Sequence, residues 1–172
     1  MQFILRKWQK EDAPDIAVAA NNPRIAQNLR NSFPYPYRLS DAEWFIEDCL
    51  RREGKNQMTR VIVVDGKAAG SIGIFRQGDV YEKSAELGYW LSEEYWRRGI
   101  MSQAVRMICR EAFAAFDLRR IYAEPFDCNA ASKGVLEKAG FTLEGTMRDS
   151  IYKDGRVLSS CMYSLLPWEL DI

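Results

Sequence analysis

The 172-residue chain contains no histidine. That absence removes Ser-His and Cys-His nucleophile arrangements and His-ligated zinc sites together. A general base must therefore be a carboxylate, a tyrosine, a shifted lysine or cysteine, or water. Cysteine is sparse: Cys49, Cys109, Cys128 and Cys161 are scattered, with no C-x-x-C pair. Thiols spaced in this way point to a reducing, cytoplasmic setting and not to a disulfide framework. An excess of either charge is lacking too, since 24 Lys and Arg balance 24 Asp and Glu. Zero net charge argues against a strongly steered nucleic-acid partner. No apolar run approaches membrane-span length and Met1–Lys7 is not a signal peptide, so no membrane association is expected. Neither GxxxxGK[ST] nor GxGxxG occurs, which sets aside the P-loop and the dinucleotide fingerprint.

What is present is 47% hydrophobic residues, enough to build one domain of residues 1–172 around a sizeable core. The stretch that organises the rest is Glu86–Ser102, ELGYWLSEEYWRRGIMS. Its first part reads as a strand, short, aromatic and apolar. From Ile100 onward Met101, Ala104, Val105, Ile108 and Ala112 recur at helical spacing, so a helix is expected over Gly99–Phe116. Arg97, Arg98 and Gly99 fall just before that helix's first turn. Backbone N–H groups, the positive end of the helix dipole and two guanidinium groups then converge, and Gly99 lets a bulky anion approach the backbone. The arrangement predicts a diphosphate cradle at the end of a strand.

Along the rest of the chain, Met1–Trp8 predicts a first strand. Asp12 is expected to cap a helix with Pro14 in its first turn, and Asn22-Pro23 to restart a short second one. NSFPYPYR is a Pro-punctuated loop whose rings either line an acceptor pocket or pack on the core. Ser40-Asp41-Ala42-Glu43 reads as a capping box for a helix to about Arg52, with Trp44, Phe45, Ile46, Cys49 and Leu50 facing inward. Arg51, Arg52, Glu53 and Lys55 read as its solvated end. Strands are expected over Thr59–Val64 and Ala68–Arg76 around Asp65-Gly66, over Ser84–Leu91, and over Arg120–Phe126. Asn129–Ala139 is a helix closed by Gly140, and a final pair, Thr142–Ile151 and Arg156–Leu166, turns at Lys153-Asp154-Gly155. The fourth and fifth strands with the helix between them form a βαβ unit and should be parallel.

WRRGIMSQA resembles the phosphopantetheine-and-diphosphate loop of the GCN5-related N-acetyltransferases, and is most similar to the RimJ/RimL-like branch of ribosomal-protein N-terminal acetyltransferases. Downstream, FDCNAASKGVLEKAGFTLEGTMRD is similar to that branch's N-x-x-S-x-x-V-x-x-K-x-G-F-x-x-E-G segment. The loop departs from the wider family at Trp96 and Met101, and from the branch at Gln103. The resemblance implies a single α/β (α+β) domain with a mixed, mostly antiparallel seven-stranded sheet. It also implies a splayed parallel pair of strands, acetyl-CoA as co-substrate without a metal, and acetyl transfer to an amine in a ternary complex.

The resemblance places the diphosphate and pantetheine at Arg97, Arg98, Gly99, Ile100, Met101 and Ser102. Tyr89, Trp90 and Leu91 would contribute through their backbone, and one of their N–H groups can polarise the thioester carbonyl. Asn129 is both an N-cap and, in the family, a contact of the pantetheine arm. Ser132, in that helix's first turn, is either the acid that protonates the departing thiolate or a residue satisfying backbone donors. In the branch the base is a carboxylate seven residues beyond the Glu-Gly pair, and that position here is Ile151. Glu86, which shares a strand face with Gly88 and Trp90, is the substitute, ahead of Asp149, Glu124 or a chain of waters. Cys128 as a ping-pong nucleophile has no histidine to activate it. A non-catalytic acyl-CoA-binding module is the competing reading, favoured by Ile151. The acceptor, a protein N-terminus or a small-molecule amine, is left open, and related enzymes often pair as homodimers.

Overall fold

Asp65 and Gly66 adopt φ of 49° and 81° in the computed structural model, which describes residues 2–170. Two consecutive positive φ values make a hairpin turn whose twist matches the strands it joins. Here these are β2 (Gln57–Val64) and β3 (Lys67–Arg76). Asp154 and Gly155, at φ 51° and 76°, do the same between β6 (Thr142–Lys153) and β7 (Arg156–Leu165). With β1 (Phe3–Arg6), β4 (Ser84–Leu91) and β5 (Arg120–Ala123) they form a seven-stranded sheet in the order β1-β2-β3-β4-β5-β7-β6. The β1–β2, β5–β7 and β6–β7 pairs are antiparallel. The β4–β5 pair is parallel, as its crossover helix requires, with Ser84, Ala85 and Glu86 opposite Arg120, Ile121 and Tyr122.

The chain divides into two compact units, and both β3 and β4 run from one into the other. The first holds the residues up to Gly73 and Tyr89–Ile100. It contains α1 (Ala13–Ala20), α2 (Pro23–Ala26) and α3 (Leu39–Arg52). Trp8, Ile16, Tyr37, Ile46, Cys49, Val61 and Val63 are buried in its core, with Phe33, Phe45 and Trp90 against them. The expected first strand is shorter than Met1–Trp8, and Met1 lies outside the described residues. Asp12 does not cap α1 with its side chain. Its buried carboxylate instead accepts both guanidinium N–H groups of Arg6, at 2.9 and 2.7 Å, and the Gln9 N–H at 2.9 Å. The capping box of α3 is displaced two residues: Arg38 is the N-cap, and its N–H donates to Asp41 at 2.8 Å. Ser40 therefore sits inside the first turn. The inward stripe of α3 is Ala42, Phe45, Ile46 and Cys49, whereas Trp44 and Leu50 are exposed, because they fall outside the arc that this i, i+3, i+4, i+7 spacing puts on one face. The helix end is closed by ion pairs, Arg51 and Arg52 with Asp48, and Glu53 with Arg60 at 2.6 Å.

The second unit holds Ile74–Gly88 and the chain from Met101 onward. Most of α4 (Ile100–Ala115) lies in it, and the expected stripe of Met101, Ala104, Val105, Ile108 and Ala112 is buried. β5 stops at Ala123 instead of reaching Phe126, because Pro125 has no N–H to give a ladder. Phe126 rejoins the sheet through one bridge to Ser160. Next comes α5 (Ala130–Lys138), after which Gly140 takes φ 99°.

One contact in the first unit leaves no room for a side chain. A Cβ on Gly70 would lie 2.5 Å from the Trp90 carbonyl oxygen and 3.1 Å from Leu91 Cα. Backbone atoms cannot rotate away, so Gly70→Ala should lower the urea midpoint by the equivalent of about 1–3 kcal/mol. Gly134→Ala, in α5 with nothing within 4 Å, should raise it by about 0.5–1 kcal/mol. Equal midpoints for the two variants would contradict this packing.

Candidate active site

β4 ends at Leu91, where three interactions fix the direction of the chain. Gly70 permits the close approach just described. The Ser92 N–H donates to the Ala69 carbonyl at 2.8 Å, and the Trp96 indole N–H donates to the Leu91 carbonyl at 2.7 Å. A single helical turn, Glu93–Tyr95, precedes Trp96. Its Glu93 carboxylate accepts from the Asn22 amide at 2.7 Å and the Arg24 guanidinium at 2.6 Å. These bonds, Asn22's first, hold the Glu93 carboxyl below the usual carboxylate range. Arg97 and Gly99 then take φ of 60° and 74°, two left-handed residues that turn the chain into α4.

Arg97 and Arg98 are exposed, and the Arg98 guanidinium lies 5.8 Å from the centre of the Tyr95 ring. Ile100, Met101 and Ser102 are buried, so their side chains are turned away from solvent. Tyr89 and Trp90 are half-buried, and Leu91 is buried. The Trp90 ring meets Phe33 at 5.7 Å, and Phe33 meets Tyr37 at 5.1 Å. Those two rings of the Pro-punctuated loop thus pack on the core, while Tyr35 remains exposed.

In the second unit, Asn129 caps α5: its side-chain carbonyl accepts the Ser132 N–H at 3.2 Å. Ser132 is half-buried. The Cys161 thiol donates to Asp127 at 3.1 Å and the Lys133 ammonium does so at 3.2 Å, which together lower the Asp127 pKa. Cys49, Cys109 and Cys161 are buried and Cys128 is exposed, all as free thiols. Burial pushes the Cys49 thiol up to about 11.

A cavity of about 360 Å³ opens on β4 and β5, lined by Glu86, Arg120, Tyr122 and Glu124 together with Tyr81 and Met162. The Tyr122 hydroxyl donates to Glu86 at 3.1 Å across the parallel pair. Arg120 forms a bidentate pair with Glu144, at 2.9 and 2.5 Å, and its guanidinium lies 5.7 Å from the Tyr122 ring centre. The Arg120 hydrogen bonds draw the Glu144 pKa down. Glu86 and Glu124 are thus brought together, and Asp149 is not among the lining residues. Asp149 sits at φ 52° in an irregular part of β6, with its N–H on Ser159 Oγ at 3.1 Å. Ile151 pairs with Leu158 beyond a register shift from Met147. Counting seven residues from Glu144 therefore crosses a bulge, where strand alternation fails. Sequence reasoning passed over Arg120, Tyr122 and the Glu144 pair. The signal for Arg120 and Tyr122 was their alternation on one face of β5.

The family described as acetyltransferase (GNAT) domain matches residues 2–142. The chain belongs to that family. It is 34% identical over 168 residues to the uncharacterized N-acetyltransferase YoaA of Bacillus subtilis, covering 96% of this chain and 93% of that one. It is 34% identical over 152 residues to the putative ribosomal N-acetyltransferase YdaF of the same organism, covering 88% and 76%. Mycobacterium smegmatis RimJ, solved in complex with CoA-disulfide, shares the fold with a TM-score of 0.87 at 21% identity, over 99% of this chain and 84% of that one. The protein is an acetyl-CoA-dependent N-acetyltransferase. No helix among the described residues is long and apolar enough to cross a membrane.

The indole bond at the strand end has a measurable worth. Trp96→Phe keeps a ring and removes the donor to the Leu91 carbonyl, which should cost about 1 kcal/mol in urea denaturation. An unchanged midpoint would mean that water replaces the indole at no cost.

Proposed function

We propose that the chain, acting as one domain of residues 1–172, moves the acetyl group of acetyl-CoA directly onto a primary amine in a ternary complex without a metal. The observation that carries this reading is the turn from β4 to α4, with its two left-handed residues and two exposed guanidinium groups ahead of a long helix. The diphosphate would rest on Arg97, Arg98 and the backbone of Gly99, Ile100, Met101 and Ser102, the last three contributing no side chain because theirs are buried. Tyr89, Trp90 and Leu91 would pair their backbone with the pantetheine amides. The Leu91 carbonyl already accepts the Trp96 indole, so this strand end is set before the cofactor arrives.

In the transfer the amine nitrogen attacks the thioester carbonyl, the C–S bond breaks, the amine loses a proton and the thiolate gains one. Glu86 takes the amine's proton through a water, and its place in the cavity beside the Tyr122 hydroxyl supports that role. Ser132 supplies the thiolate's proton, with its backbone N–H held by Asn129. Asn129 is thereby available to the pantetheine arm from a fixed position. An α-amino group titrating near ~8 needs less help from a base than a lysine near ~10, so a protein N-terminus is a suitable acceptor, as is a small-molecule amine. The similarity to a putative ribosomal N-acetyltransferase supports the former. We place the activity in the cytoplasm, in keeping with the free thiols.

Thiol release from acetyl-CoA, measured with a panel of amines and N-terminal peptides, tests the reading. Wild-type protein should release one thiol per acetylated amine. Gly99→Glu adds bulk and like charge at the diphosphate and should weaken acetyl-CoA binding severely, and Glu86→Gln should lower kcat at neutral pH by at least about tenfold. Absence of thiol release with every acceptor, or full activity in both variants, would sink it.

A further inference from the structure

Two distant stretches of the first unit meet at Glu93. It opens the single turn between β4 and α4, and its partners lie 71 and 69 positions earlier in the chain. The Asn22 amide is used at both ends. Its oxygen accepts the Arg24 N–H at 2.9 Å and so caps α2, while its nitrogen donates to one Glu93 oxygen at 2.7 Å. The Arg24 guanidinium donates to the other Glu93 oxygen at 2.6 Å. The donors are themselves fixed: the Asn22 N–H reaches the Ala20 carbonyl at 2.8 Å, and the Asn21 side chain accepts the Tyr37 N–H at 3.0 Å. On the cofactor side, the Glu93 carbonyl accepts the Trp96 N–H at 3.1 Å, and the Ser92 carbonyl accepts the Tyr95 N–H at 3.0 Å. Trp96 directly precedes the left-handed Arg97, and the Tyr95 ring lies against the Arg98 guanidinium. A solvent-exposed ion pair like Arg24–Glu93 adds little to global stability. Its effect falls on orientation: it sets the angle at which the turn carries Arg97, Arg98 and Gly99 away from the strand.

Resting on the reading of this turn as the diphosphate cradle, we propose that Glu93 is a positioning residue for the cofactor. Held by Asn22 and Arg24, it sets the Arg97–Gly99 turn in the orientation that receives the diphosphate, and it acts on the cofactor only through that turn. The start of α2 thereby preorganises the cradle, and its loss weakens binding of the diphosphate-bearing part alone. Tyr89, Trp90 and Leu91, which face the pantetheine arm in the proposed complex, are fixed separately by Gly70 and the Ser92 N–H.

The test measures CoA affinity by calorimetric titration, and pantetheine affinity by competition with CoA, on the full-length protein. Pantetheine carries the thiol and both amides but no diphosphate, so wild-type protein should bind CoA far more tightly. Glu93→Ala should weaken CoA roughly five- to twentyfold and pantetheine less than about twofold. Asn22→Ser keeps a cap oxygen for α2 and withdraws the amide from Glu93, so it should weaken CoA in the same selective way. CoA affinity unchanged in Glu93→Ala, a loss that Asn22→Ser does not share, or CoA and pantetheine weakened by the same factor overturns the proposal. Equal wild-type affinities for CoA and pantetheine remove the cradle reading and the proposal with it. Selective loss of CoA binding in both variants, without thiol release to any amine by wild-type protein, leaves the positioning role standing and removes acetyl transfer.

Discussion

Three interactions fix the backbone at the end of β4, and the proposed site depends on them. Gly70 brings one strand against the Trp90 carbonyl, the Ser92 N–H reaches Ala69, and the Trp96 indole closes on the Leu91 carbonyl. Each interaction is worth about 1 kcal/mol or a little more. Together they prevent the chain from leaving the strand in any other direction. The two left-handed residues that follow are tolerable because this exit is already set. Preorganisation of this kind lowers the ordering cost of binding a long, flexible ligand.

Several acidic side chains have structural partners. Asp12, Glu53, Glu93, Asp127 and Glu144 are each committed to an arginine, a lysine or a backbone N–H. They hold turns and strand edges in place. Glu86 and Glu124 line a cavity, and Glu86 also accepts the Tyr122 hydroxyl.

Much of the fold was legible because local chemistry and global pairing agree. The two Asp-Gly turns, the β4–α4–β5 crossover, the buried stripe of α4 and the Asn129 cap all follow from spacing alone. Elsewhere a local signal was overridden. Asp12 looked like a cap and is drawn to Arg6. Ser40 looked like a cap and Arg38 takes the position, and Trp44 and Leu50 lie outside the buried arc of the helix. The turn from β4 into α4 was legible as a loop and a helix start, since these are contiguous in sequence. The cavity was not, because Glu86 and Tyr122 meet only through strand register.

Amide hydrogen exchange with and without acetyl-CoA tests the central claim directly, because the claim is that backbone groups at a preset strand end and helix start hold the cofactor. Protection on binding should concentrate in Tyr89–Leu91, Gly99–Ser102 and the first turn of α5 from Asn129 to Ser132, with little change in α1, α3 or the β6–β7 hairpin. Protection confined to segments outside those three, with saturating acetyl-CoA shown to be bound, would contradict it.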